Sequence, residues 1–148
     1  MVRVLIDTCV LSEIQRPKGN AQVREYVEAL DPEQMFLSVV TMGELAKGIA
    51  QLPTGSRKRE LTIWQTKLEQ RYADHMLSID LETARLWGEL TARAQAEGVQ
   101  VPVSDGLIAA TALRRGLHVL TRNTKHFAAT GALVIDPWAE TAAPFQDS

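Results

Sequence analysis

Asp7, Glu44, Asp105 and Asn123 offer oxygen donors at points where a shared site would need them. Asp7 ends the apolar run V-R-V-L-I with no charged partner beside it. Glu44 lies in T-M-G-E-L, just after M-F-L-S-V-V, and Asp105 opens S-D-G-L-I-A-A-T-A. Asn123 follows L-H-V-L-T, inside L-T-R-N-T-K-H-F. Each has a purely structural reading. Thr41 and Glu44 match the T-x-x-E capping box. Asp105 suits the first turn of a helix, Asp7 can cap one, and Asn123 can close an Asx-turn. Four independent caps, however, would not need an acid at three of them. Three carboxylates about 5 Å apart at an effective dielectric of about 20 repel by roughly 3 kcal/mol per pair. A fold keeps them together where a cation or protons fill the gap. All-oxygen ligation favours Mg²⁺ or Mn²⁺ over zinc.

Such a meeting requires elements that deliver all four to one edge. Short apolar runs rich in Val, Ile and Leu at 2–6, 35–40, 76–79, 117–121 and 132–135 predict strands buried on both faces. Helical stretches at 20–30, 41–52, about 56–73 and 81–97 lie between them. The 81–97 helix puts Ala84, Trp87, Leu90 and Ala94 on one face, with Asp80 as cap and Gly98 as stop. The helix at 104–116 is capped by Ser104, carries Arg114 and Arg115 at its end and stops at Gly116. Its middle is apolar or small nearly all round, which predicts burial. Alternating strands and helices imply a three-layer α/β/α sandwich with a short, mostly parallel central sheet. In such a sheet the strand carboxyl ends share one edge, where ligands bind. Asp7, Glu44 and Asn123 follow strand ends, and Asp105 opens a helix running back beside the sheet.

The chain of 148 residues is 45% hydrophobic and 23% charged, as expected of one soluble domain able to bury a core. The domain is expected over residues 1–140, with 141–148 as a flexible tail. No apolar run approaches the roughly 18 residues of a membrane span, and no signal peptide is recognisable, so a cytoplasmic protein is expected. The single cysteine, Cys9, excludes an intrachain disulfide and reads as a small buried hydrophobe. His75, His118 and His126 form neither a zinc spacing nor a motif around Cys9, and read as surface or strand-edge residues. A net charge of −2 gives no global attraction to nucleic acid. Any such contact must come from metal ions or from local patches such as R-K-R at 57–59, with Lys67 and Arg71 downstream.

L-I-D-T, T-M-G-E-L, V-S-D-G-L-I-A-A-T-A and L-T-R-N-T-K-H-F together resemble the PIN-domain ribonucleases. The resemblance is to VapC-type toxins of bacterial toxin–antitoxin pairs, in particular the FitB-like branch, and runs from residue 2 to D-P-W at 136–138. It implies a PIN-like fold and makes Asp7, Glu44 and Asp105 the acidic ligands of Mg²⁺ or Mn²⁺. Thr121 and Asn123 fall where the family closes its site. Family members often carry Asp where this chain has Asn123; the amide holds a water but supplies less charge. The implied activity is hydrolysis of RNA phosphodiester bonds by a metal-activated water, leaving 5′-phosphate and 3′-hydroxyl ends. The implied partners are RNA, a homodimeric copy, and a small DNA-binding antitoxin whose tail enters the active-site cleft.

Rival readings fit less well. A haloacid-dehalogenase-type phosphatase needs a second Asp two positions after the first, where this chain has Cys9. A flavodoxin-like nucleotide binder needs a Gly-rich loop that D-T-C-V-L-S lacks. A receiver-like or interaction domain binding Mg²⁺ without catalysis pairs two acids near the first strand and places a Lys after its last strands. Here one acid stands there, and Lys125 is offset.

Overall fold

A computed structural model describes residues 1–139; the tail expected at 141–148 lies outside them. Five strands form one parallel sheet: β1 (Val4–Ile6), β2 (Met35–Ser38), β3 (Met76–Leu77), β4 (His118–Leu120) and β5 (Val134–Ile135). Their order is β3-β2-β1-β4-β5. β1 therefore lies at the centre, and the chain crosses from one half of the sheet to the other between β3 and β4. Ligands of open α/β sheets bind at the crevice created by such a reversal.

Among the described residues seven helices cover the sheet: α1 (Thr8–Gln15), α2 (Ala21–Glu28), α3 (Val39–Ala50), α4 (Ser56–Arg71), α5 (Leu81–Ala96), α6 (Val103–Arg115) and α7 (Thr124–Ala129). The strand repeat of two splits the core into two layers. Val4, Ile6, Met35 and Leu37 pack with α1, α2 and Leu45 of α3, with Trp64 and Leu68 of α4 against them. Leu5 and Val119 face the other way, onto Ile108, Ala109 and Ala112 of α6 and Phe127 of α7. The α/β/α sandwich expected from the sequence is the observed fold.

Several local boundaries differ from expectation. Val39 and Val40, assigned to a strand by their apolar run, open α3 instead, because the Ser38 hydroxyl accepts the Val40 amide at 3.0 Å and turns the chain. Thr41 therefore lies inside the helix, and the expected Thr41–Glu44 capping box does not form. Ser104 does not cap α6 either; Pro102 holds the N-cap position, with no side-chain bond to the helix. The short helix α7 was not expected, and α1 is the helix that Asp7 was read as able to cap. Asp80 does cap α5, accepting from the Thr83 amide at 2.8 Å, and Gly116 ends α6 at φ 68°. No helix among the described residues is long and apolar enough to cross a membrane.

The Gly106 Cα surface allows α6 to approach α5 closely. A Cβ there would stand 2.7 Å from Trp87 Cδ1 and 3.2 Å from Thr91 Oγ1. This packing seats the first turn of α6, and with it Asp105.

Candidate active site

Asp7 is the first residue after β1, and its backbone N–H donates to the Leu120 carbonyl of β4 at 3.0 Å. Its side chain serves two elements at once. Oδ1 accepts the Thr8 amide at 2.9 Å and caps α1, while Oδ2 accepts the Thr121 hydroxyl at 2.8 Å. Only 3% of Asp7 is exposed. Burial raises its pKa, the Thr121 and Thr8 hydrogen bonds oppose the rise, and the charges of Asp105 and Glu44 add to it.

Glu44, half-buried on α3, accepts the Thr8 hydroxyl through Oε1 at 2.7 Å. Thr8 thus ties the second acid to the first. Asp105 is buried in the first turn of α6, and its Oδ2 lies 3.0 Å from Nδ1 of His126 on α7. Its pKa is also raised, by burial first and by the Glu44 charge, with the His126 contact pulling the other way. The structure therefore brings Asp7, Glu44 and Asp105 within reach of one another's charges. Asn123 joins them by its backbone: its N–H donates to Thr121 Oγ1 at 3.0 Å, while the residue is exposed and its amide makes no cap to α7.

The donor set suits a hard divalent cation. It consists of oxygens, two of its carboxylates are buried, and burial together with neighbouring negative charge disfavours their ionised forms, which a cation would reverse. As placed, each carboxylate is engaged with a neighbour and not with a common centre. Among the described residues no group of three or more His, Cys, Asp or Glu side chains is arranged to hold an ion.

Sequence reasoning missed two participants. Thr8 follows Asp7 directly, but its partner is 36 residues away. His126, read as a surface or strand-edge residue, is half-buried against Asp105. Its partner is 21 residues away, and no local spacing points to it. Cys9, expected as a small buried hydrophobe, is half-buried and its thiol donates to Asp7 Oδ2 at 3.6 Å; burial and the Asp7 charge push its pKa up, so it is a poor nucleophile. The R-K-R patch is partly structural. The Lys58 ammonium donates to the Ala50 and Leu52 carbonyls at 3.4 and 3.3 Å, closing the α3–α4 corner.

Glu44 opens onto a cleft of about 510 Å³ between α3 and α6, bordered by Val40, Lys47, Val103 and Leu107. Arg122, between Thr121 and Asn123, lies 5.1 Å over the Trp138 ring. The cleft thus carries one acid, Glu44, and one cation, Lys47, in its lining.

The sequence matches the family described as "PIN domain" over residues 4–133. It is 36% identical over 139 residues to VapC ribonuclease Y4jK of Sinorhizobium fredii, covering 91% of this chain and 97% of that protein. It is 35% identical to toxin FitB of Neisseria gonorrhoeae, covering 91% and 98%. A solved structure of FitAB bound to an IR36 DNA fragment superposes with a TM-score of 0.87 at 32% identity, covering 92% of this chain and 96% of that one.

Proposed function

The chain belongs to the PIN-domain family, and from that premise we propose that it is a divalent-metal-dependent endoribonuclease and the toxin of a toxin–antitoxin pair. The observation that carries the reading is the convergence of Asp7, Glu44 and Asp105, from three separate elements, at the carboxyl edge of the sheet beside its topological reversal. The ribonuclease and toxin names of its relatives support the same activity. The nuclease domain is assigned to residues 1–140 and placed in the cytoplasm with its RNA substrate.

Asp7 and Asp105 would hold Mg²⁺ or Mn²⁺, with Glu44 as the third ligand or as the group orienting the attacking water. The ion supplies the positive charge that makes a water nucleophilic near neutral pH and neutralises the phosphate. Thr121 fixes the Asp7 carboxylate and Thr8 fixes Glu44, so neither acid needs to search for its position. Asn123, exposed at the mouth, can hydrogen-bond a water or a phosphate oxygen. Lys47, which lines the cleft beside Glu44, and Arg122, next to Thr121 and Asn123 in sequence, would grip the RNA backbone, which gives affinity with little sequence information.

A toxin requires a silencer. The proposed antitoxin is a small DNA-binding protein whose tail lies across the cleft at Glu44 and Asp105, and FitAB bound to DNA supports that kind of partner. An inserted Arg or Lys would pair with the acids. The toxin itself is proposed to be a homodimer, which sedimentation of the purified chain tests.

The activity is tested by incubating purified, partner-free protein with an RNA mixture in Mg²⁺, Mn²⁺ or EDTA and analysing the ends. The expected products carry 5′-phosphate and 3′-hydroxyl, and EDTA abolishes them. Cyclic 2′,3′-phosphate ends that persist in EDTA would overturn the mechanism. Absence of cleavage in either metal would favour a binding module.

A further inference from the structure

The His126 contact is not explained by packing alone. α7 is a six-residue helix pinned by the fully buried Phe127, one position after His126. The imidazole therefore arrives at Asp105 on a fixed support. Among the described residues His126 makes the one hydrogen bond to the Asp105 carboxylate. An ionised carboxylate, the form a cation would hold, can only accept, so in that form the bond would be donated by Nδ1–H. Asp105 also feels the Glu44 charge, and the terminal torsion of an Asp side chain is soft. Untethered, its carboxylate would turn away from its like-charged neighbour.

The geometry points to His126 as a positioning residue: by engaging Oδ2 it holds the Asp105 carboxylate in place within reach of the Glu44 charge, where it would help to hold a cation. This rests on the metal-nuclease reading above. The outer partners of metal-binding carboxylates commonly contribute about 10–100-fold to metal affinity or activity. His126 touches neither metal nor RNA in this role.

The experiment compares wild type, His126→Ala, His126→Asn and Asp105→Asn. Three quantities are read: Mn²⁺ affinity of the metal-stripped protein by calorimetry, RNA cleavage at saturating Mn²⁺, and melting in EDTA. His126→Ala is expected to weaken Mn²⁺ binding by about 10–100-fold, to regain cleavage as Mn²⁺ is raised, and to melt with wild type in EDTA. His126→Asn, whose amide N–H can stand where Nδ1–H stood, is expected to restore most of the affinity. Wild-type affinity in His126→Ala, with Asp105→Asn impaired, would overturn the inference alone. Cleavage lost at saturating Mn²⁺ with affinity intact would overturn it in favour of direct proton transfer. Lower melting in EDTA for both His126 variants, without rescue by Asn, would reduce the contact to packing. Wild type that neither binds Mn²⁺ nor cuts RNA would overturn the nuclease reading itself.

Discussion

Asp7 has two roles that a single substitution separates. Asn caps a helix about as well as Asp, so Asp7→Asn keeps the Thr8 bond while removing a buried charge set among other acids. In EDTA the variant is expected to be more stable than wild type by about 1 kcal/mol, after discounting for solvent and protonation. It should gain less stability from Mn²⁺ and be inactive, as melting beside an RNA cleavage assay would show. The same shifts fix a pH dependence. Asp7 and Asp105 have folded pKa values above their unfolded ones. Between those values the folded state binds more protons, so stability falls as pH rises through the window and the loss is complete above it. Denaturant midpoints in EDTA should therefore rise from neutral toward mildly acidic pH, less steeply in Asp7→Asn; a flat profile in wild type would contradict the raised values. Asp7 was legible in the sequence because a carboxylate ending an apolar strand needs a reason. Thr8 and His126 were not, because their partners are 36 and 21 residues away and no local pattern selects them.

Helix starts show where a local pattern misleads. T-x-x-E at Thr41–Glu44 satisfied the capping-box rule, yet Ser38 reaches the chain first and α3 begins two residues earlier. Among the described residues the Thr41 hydroxyl is left buried without a partner. Ser38→Ala should therefore cost about 1 kcal/mol in urea denaturation. Thr41→Val should be neutral or stabilising by up to about 1 kcal/mol, since it removes an unsatisfied polar group at nearly constant shape. The opposite ranking would return the cap to Thr41. The α5–α6 contact makes a second claim at this scale. Gly106→Ala would force the Trp87 ring away and should destabilise by about 1–3 kcal/mol, with Mn²⁺ affinity falling as Asp105 shifts. The burial of α6 was legible from its composition, whereas its need for glycine was not, because the facing indole belongs to another helix.

The parallel architecture was legible from alternating apolar runs and helices, but strand order was not, since those runs do not say which neighbours pair. That order governs how the molecule responds to metal. An ion that binds only the assembled edge stabilises the whole fold by mass action, by about 2.7 kcal/mol at one hundred times its dissociation constant. For a chain of this size that corresponds to a rise of roughly 5–10 °C in melting temperature, reversed by EDTA. Lack of any such shift would argue against a site built from these three acids. The central place of β1 has a further consequence for how the protein is made. β1 pairs with β4, and Asp7 is completed by Thr121, 114 residues later. A nascent chain still on the ribosome thus carries Asp7 and Glu44 long before Asp105 and Thr121 emerge. Any message interrupted before the Thr121 codon yields a polypeptide without an assembled cutting edge, so cleavage has to wait until the ribosome has passed that codon.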